Sequence, residues 1–153
     1  MLIRKTLFFA FFMCLVAAAC KKDNNSQSDE AILTSGKWQM SDASVMLPGS
    51  PISVDVYDSI PTCIRDNFYV FAPGGTATID EGATKCGDSD PQTTTGSWKL
   101  LENNTKLQAL DPLTGASANF TLLEINSNDM KVQDTATYEG YTVTATVTFK
   151  HIN

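Results

Sequence analysis

From Ile32 to the C-terminus, apolar residues tend to recur at every second position between turn formers, and the pattern follows the period of a strand, not that of an amphipathic helix. The segment after Gly140 is the clearest case. Tyr141, Val143, Ala145, Val147 and Phe149 fall on one face of an extended chain, with Thr142, Thr144, Thr146 and Thr148 on the other, so one face is meant for a core and the other for water. The same reading predicts a first strand opening at Trp38-Gln39-Met40 and running toward Val45-Met46-Leu47, where Pro48-Gly49-Ser50-Pro51 breaks it. Ile52, Val54 and Val56 alternate in the next. Phe68 to Phe71 and Thr76 to Ile79 flank Pro73-Gly74-Gly75, which has the composition of a tight hairpin. Thr95 to Leu101 and Lys106 to Leu110 pair around Asn103-Asn104. Phe120 to Ile125, Met130 to Tyr138 and Tyr141 to Phe149 complete the series, the last two joined at Glu139-Gly140. The fold class is all-β, an antiparallel up-and-down β-barrel of about eight strands, since closure removes the edges that an open sheet leaves exposed. A two-sheet sandwich is the competing arrangement. A short helix is expected within Ser26 to Thr34, ahead of the first strand.

The N-terminus follows a different rule. Arg4 and Lys5 precede an almost unbroken apolar run from Leu7 to Ala19 that ends in Ala17-Ala18-Ala19, and Cys20 is followed at once by Lys21-Lys22-Asp23. A charged start, an apolar middle and a small-residue end make a secretory signal. The run of 13 residues falls short of the roughly 20 that span a bilayer. Residues 21–30 hold no large apolar side chain and read as a tether, whose Lys-Lys-Asp start is either a solvated linker or a sorting signal. The chain thus divides into a signal peptide (1–19), a Cys and flexible tether (20–31) and one β domain (32–153). The Ala-Ala-Ala-Cys junction resembles the lipobox of bacterial lipoproteins. That resemblance implies cleavage before Cys20, a lipid on Cys20 that attaches the chain to a membrane, and residence in the bacterial cell envelope at the outer membrane.

Loss of the signal removes two basic residues, leaving 9 against 17 acidic ones and a mature net charge near −8. Nucleic acid is excluded as a partner, because binding it needs a clustered set of Lys and Arg. With Cys14 in the signal and Cys20 carrying lipid, Cys63 and Cys86 remain as an even pair in an oxidising compartment, and we expect them to form a disulfide. It would close a loop of about 24 residues and contribute roughly 3 to 4 kcal/mol in the chain-entropy model.

Gly36-Lys37-Trp38 stands at the entrance to the first strand. Further on come Cys63-Ile64-Arg65-Asp66-Asn67-Phe68-Tyr69-Val70-Phe71, then Pro73-Gly74-Gly75-Thr76, Cys86 and a second Gly-x-Trp, Gly96-Ser97-Trp98. This ordered set resembles the small lipocalin-like domain of bacterial lipoproteins over roughly Leu33 to the C-terminus. The resemblance implies that Trp38 packs across the closed end of the barrel and that Gly36 lets the backbone turn into the strand. The chain lacks the second and third signature motifs of eukaryotic lipocalins, so their ligand preferences do not carry over.

Catalytic chemistry finds little support. His151 is the single histidine, and both Ser-His-Asp and Cys-His arrangements would depend on it. A surface or barrel-rim position is expected for it, and no catalytic residue, metal or cofactor is assigned. Glycosidase-type carboxylate pairs stay open, being a matter of spatial separation. Asp80-Glu81 and Asp88-Ser89-Asp90 could offer oxygen ligands to calcium but match no EF-hand spacing, and a solvated acidic loop is the alternative.

Two functional readings follow. In the first, the barrel binds a small hydrophobic ligand, with Phe68, Val70, Trp98, Phe120, Tyr138 and Tyr141 as candidate lining residues. In the second, a filled barrel acts as a structural or interaction protein of the envelope, or inhibits an external enzyme through its loops, with an unknown protein partner. A barrel of eight strands is just wide enough for either outcome.

Overall fold

The computed structural model describes residues 27–110, 116–138 and 140–153. The signal segment, Cys20, the first part of the tether and the side chain of Tyr138 lie outside the described residues. The described residues open with helix α1 (Asp29–Leu33), N-capped by Ser28, whose hydroxyl accepts from the Ala31 N–H at 3.2 Å. Nine strands follow among the described residues: β1 (Lys37–Met46), β2 (Ser53–Asp55), β3 (Phe68–Ala72), β4 (Thr76–Asp80), β5 (Thr93–Leu101), β6 (Lys106–Leu110), β7 (Ser117–Ile125), β8 (Asp129–Tyr138) and β9 (Tyr141–Ile152). A 3-10 turn at Tyr57–Ser59 and helix α2 (Thr62–Arg65) connect β2 to β3.

All pairings are antiparallel, and β1 closes onto β9 from Lys37 opposite Ile152 to Met46 opposite Thr144. The ring therefore holds eight strands, β1 and β3 to β9. The Ile52 to Val56 segment is not one of them. β2 pairs only with the end of β1, at Ser44 to Met46, while β3 occupies the same edge at Lys37 to Gln39. The Pro48 to Pro51 break folds the chain back too early for β2 to enter the ring, and Ile52 and Val54 stay exposed.

Two β-bulges set the inward face. Register slips between Met40 and Asp42 on β1 and between Leu122 and Glu124 on β7. Each inserts one residue, so Trp38 and Met40 share the inner face with Ala43 and Val45, which lie opposite Val147 and Ala145. Without the bulge at Ser41, the second half of β1 would turn its apolar side outward.

The core gathers at the end where α1 lies. Leu33, Trp38, Phe71, Trp98, Leu107, Met130 and Val132 are buried together, with Ile32 packed against them. Each indole N–H has a carbonyl partner, Trp38 Nε1 donating to Leu33 O and Trp98 Nε1 to Ala72 O, both at 3.0 Å. Trp38 is fully buried and meets the His151 ring edge-on at 5.0 Å between centroids. At Gly36 the constraint is space: its φ is not in the left-handed range, and a Cβ there would lie 2.5 Å from His151 Nε2. At the β3–β4 hairpin, by contrast, Gly74 and Gly75 do adopt φ of 90° and 91°.

Candidate functional site

In the half of the barrel away from α1 the side chains leave a cavity of about 790 Å³. Its floor is apolar, formed by Phe71, Leu107, Phe120, Met130, Val132 and Phe149. Small side chains make the room: Ala77, Gly96, Ala109, Ala118 and Ala145 line it on five different strands. Polar groups gather where the strands reach the rim, at Asn67, Glu81, Thr94, Ser117 and Asp134. Tyr69 crosses between the two zones, its ring edge-on to Phe149 at 5.2 Å. Burial, and secondarily the Glu81 carboxylate, pushes the Tyr69 phenol above its ordinary value.

The rim is held by a built clasp. Cys63 on α2 and Cys86 in the 81–92 connection form the expected disulfide, with Cα atoms 5.1 Å apart. The Cys63-to-Asp66 part of the motif is therefore a helical turn and its end, with the strand starting at Phe68. Asp66 Oδ2 accepts from both the Thr84 N–H at 2.9 Å and the Thr84 hydroxyl at 2.7 Å. Asn67 is buried, and with its amide nitrogen turned to two carbonyls it donates to Cys63 O at 3.0 Å and Glu81 O at 3.2 Å. Gly82 fits between these groups at φ 65°, where a Cβ would strike Asp66 O at 2.2 Å. Hydrogen bonds from the Gln92 amide and the Gly82 N–H hold the Asp80 carboxyl below the usual carboxylate range. The Asp66 and Asp80 carboxylates thus serve to hold this connection in place. Among the described residues no three His, Cys, Asp or Glu side chains come together as a metal site.

No protein-family model matches the chain, and no curated protein does. Among solved structures, it is similar to bovine odorant binding protein. That match, to a deswapped triple mutant, has a TM-score of 0.44 and 13% identity and covers 79% of this chain and 74% of that one. So distant a likeness transfers neither residues nor ligand, and the cavity must be read from its own walls.

Of the candidate lining residues, Val70 and Phe120 border the cavity. Trp98 is buried at the closed end, edge-on to Phe71 at 5.7 Å, and is not among the bordering residues. Phe68 pairs with Gln39 on the outer face and carries Lys37 Nζ 4.1 Å from its ring centroid. Tyr141 shares the inward parity of β9 but sits at the rim, 66% exposed. Tyr138 pairs with it across the β8–β9 turn. Sequence reasoning missed Tyr69, Glu81, Asn67 and Asp134. The alternation of Met130, Val132 and Asp134 was available as a signal, since all three project to one face.

His151 lies with Ser35, whose Oγ is 3.1 Å from Nε2. The Ser35 hydroxyl donates its one hydrogen to Ile32 O at 2.7 Å, so the ring nitrogen is the donor in this contact. The pair ties β9 to the segment after α1, and the hydroxyl is not poised for activation by a base.

Proposed function

We propose that the chain is a lipid-anchored, lipocalin-like protein of the cell envelope that binds a small apolar ligand in its barrel without turning it over. The observation that carries this reading is the cavity. Its volume of about 790 Å³ falls within the roughly 300 to 1,000 Å³ of small-molecule sites. Its floor of aromatic and aliphatic side chains, with polar groups confined to the rim, suits a molecule buried by its apolar part. A filled barrel, the basis of the interaction-protein reading, would leave no such space. The anchor at the outer membrane rests on Arg4-Lys5, the apolar run and the Ala-Ala-Ala-Cys junction.

Native mass spectrometry of a soluble form starting at Lys21, before and after denaturing extraction, tests the binding reading. A retained small molecule that is lost on denaturation supports it. The Ala145→Trp variant places a bulky ring on the cavity wall and should return an empty, folded protein. Unchanged retention in that variant would locate the ligand elsewhere and sink the assignment. For the anchor, metabolic labelling with a fatty acid should mark the full-length chain and leave Cys20→Ser unmarked; equal labelling of both would refute it.

A further inference from the structure

The cavity walls carry charge of one sign. Glu81, directly after β4, and Asp134, on β8, both border the cavity, and among the described residues no Lys, Arg or His does. The ion pairs of the described residues lie elsewhere, joining Arg65 to Asp58, Lys106 to Glu102 and Lys150 to Asp129. Lys37 and Arg65, at the entries to β1 and β3, are held against the rings of Phe68 and Tyr57 at 4.1 and 4.8 Å. Between rim and floor, the Tyr69 hydroxyl makes no side-chain hydrogen bond among the described residues, leaving a donor and acceptor for a ligand.

Resting on the binding reading, we propose that the cavity selects amphiphiles whose polar end is cationic or a neutral hydroxyl, the class of alkyl amines and alcohols, and rejects carboxylates such as fatty acids. An ammonium at the rim gains charge-assisted hydrogen bonds to Glu81 or Asp134 while its chain lies on the apolar floor. A hydroxyl pairs with Tyr69 or either carboxylate at little electrostatic cost. A ligand carboxylate would leave water for a site with two like charges and no counter-charge, and that is unfavourable on both counts.

Displacement of the fluorescent probe N-phenylnaphthylamine from the form starting at Lys21 tests this, with decylamine, decanol and decanoate as competitors at neutral pH. Decylamine should bind at least tenfold more tightly than decanoate, with decanol between. In the Glu81→Gln/Asp134→Asn variant the three should fall within about threefold of one another, and each single variant should lie midway. Decanoate binding as tightly as decylamine in the wild type overturns the selectivity and leaves the binding reading intact. Failure of the probe and all three competitors removes both. A preference that persists undiminished in the folded double variant assigns it to the chain's overall negative charge and also overturns the proposal.

Discussion

Replacing Trp38 with Phe tests how the closed end is held. Trp38 is fully buried, and its Nε1 donates to Leu33 O at 3.0 Å, so one side chain joins β1 to the last residue of α1. Phe keeps the edge contact with His151 but removes the donor. A buried carbonyl left without its partner costs about 1 to 3 kcal/mol. The apolar surface of the missing part of the indole adds about 1 kcal/mol at roughly 25 cal/mol per Å². The expected loss is therefore about 3 kcal/mol. Equilibrium urea unfolding followed by far-UV circular dichroism reads it directly, as a lower midpoint at unchanged slope. Because Trp38 does not border the cavity, probe affinity in the folded variant should stay within about twofold. A loss below about 1 kcal/mol would refute the inference that the indole bond fastens α1, and a large fall in affinity would refute the separation of plug from cavity.

Alkylation of the form starting at Lys21 should add no label without reductant and two labels after reduction; labelling without reductant would show Cys63 and Cys86 to be free. The Cys63→Ala/Cys86→Ala variant should lose up to about 3.5 kcal/mol from its loop closure, with faster hydrogen exchange confined to 81–92, and exchange spread over the barrel would contradict a local clasp. Gly36→Ala should destabilise markedly, and His151→Ala introduced beside it should restore part of the loss; purely additive effects in the double-mutant cycle would show that the two do not collide. Alkaline absorbance titration should reveal a tyrosine ionising above the ordinary phenol value, absent in Tyr69→Phe. Because the folded-state value is raised, the native protein binds more protons than the unfolded one near pH 10, so this contribution to stability is present below about pH 10 and lost as pH rises further. Identical titrations of the two proteins would exclude a buried, shifted Tyr69.

The barrel is legible in the sequence wherever apolar and polar residues alternate, as in Tyr141 to Phe149, or where turn chemistry is explicit, as in Pro73-Gly74-Gly75. The inner face of β3 is not. Phe68-Tyr69-Val70-Phe71 is apolar or aromatic throughout, so the run carries no phase, and Tyr69 and Phe71 face the interior while Phe68 stacks under Lys37 outside. The bulges at Ser41 and Leu123 hide a second kind of information, because one inserted residue reverses the parity of everything after it and leaves no mark in composition. Glu81 and Asp134 were missed for a third reason. Hydrophobic patterning assigns a carboxylate to water, and only closure of the ring shows that this water lies at the mouth of a cavity.

Helix α1 also gives the molecule a direction. The chain enters at the plugged end, and β9 finishes there too, with His151 against the segment after α1. Whatever grips the residues before Ser28 grips the base of the barrel and leaves the opposite rim unobstructed. Seven residues lie between Cys20 and Ser28, so eight steps of the chain reach at most about 28 Å at full extension. On a lipid at Cys20 the barrel would stand like a cup on a short stem, its base toward the bilayer and its acidic lip held up to whatever diffuses past.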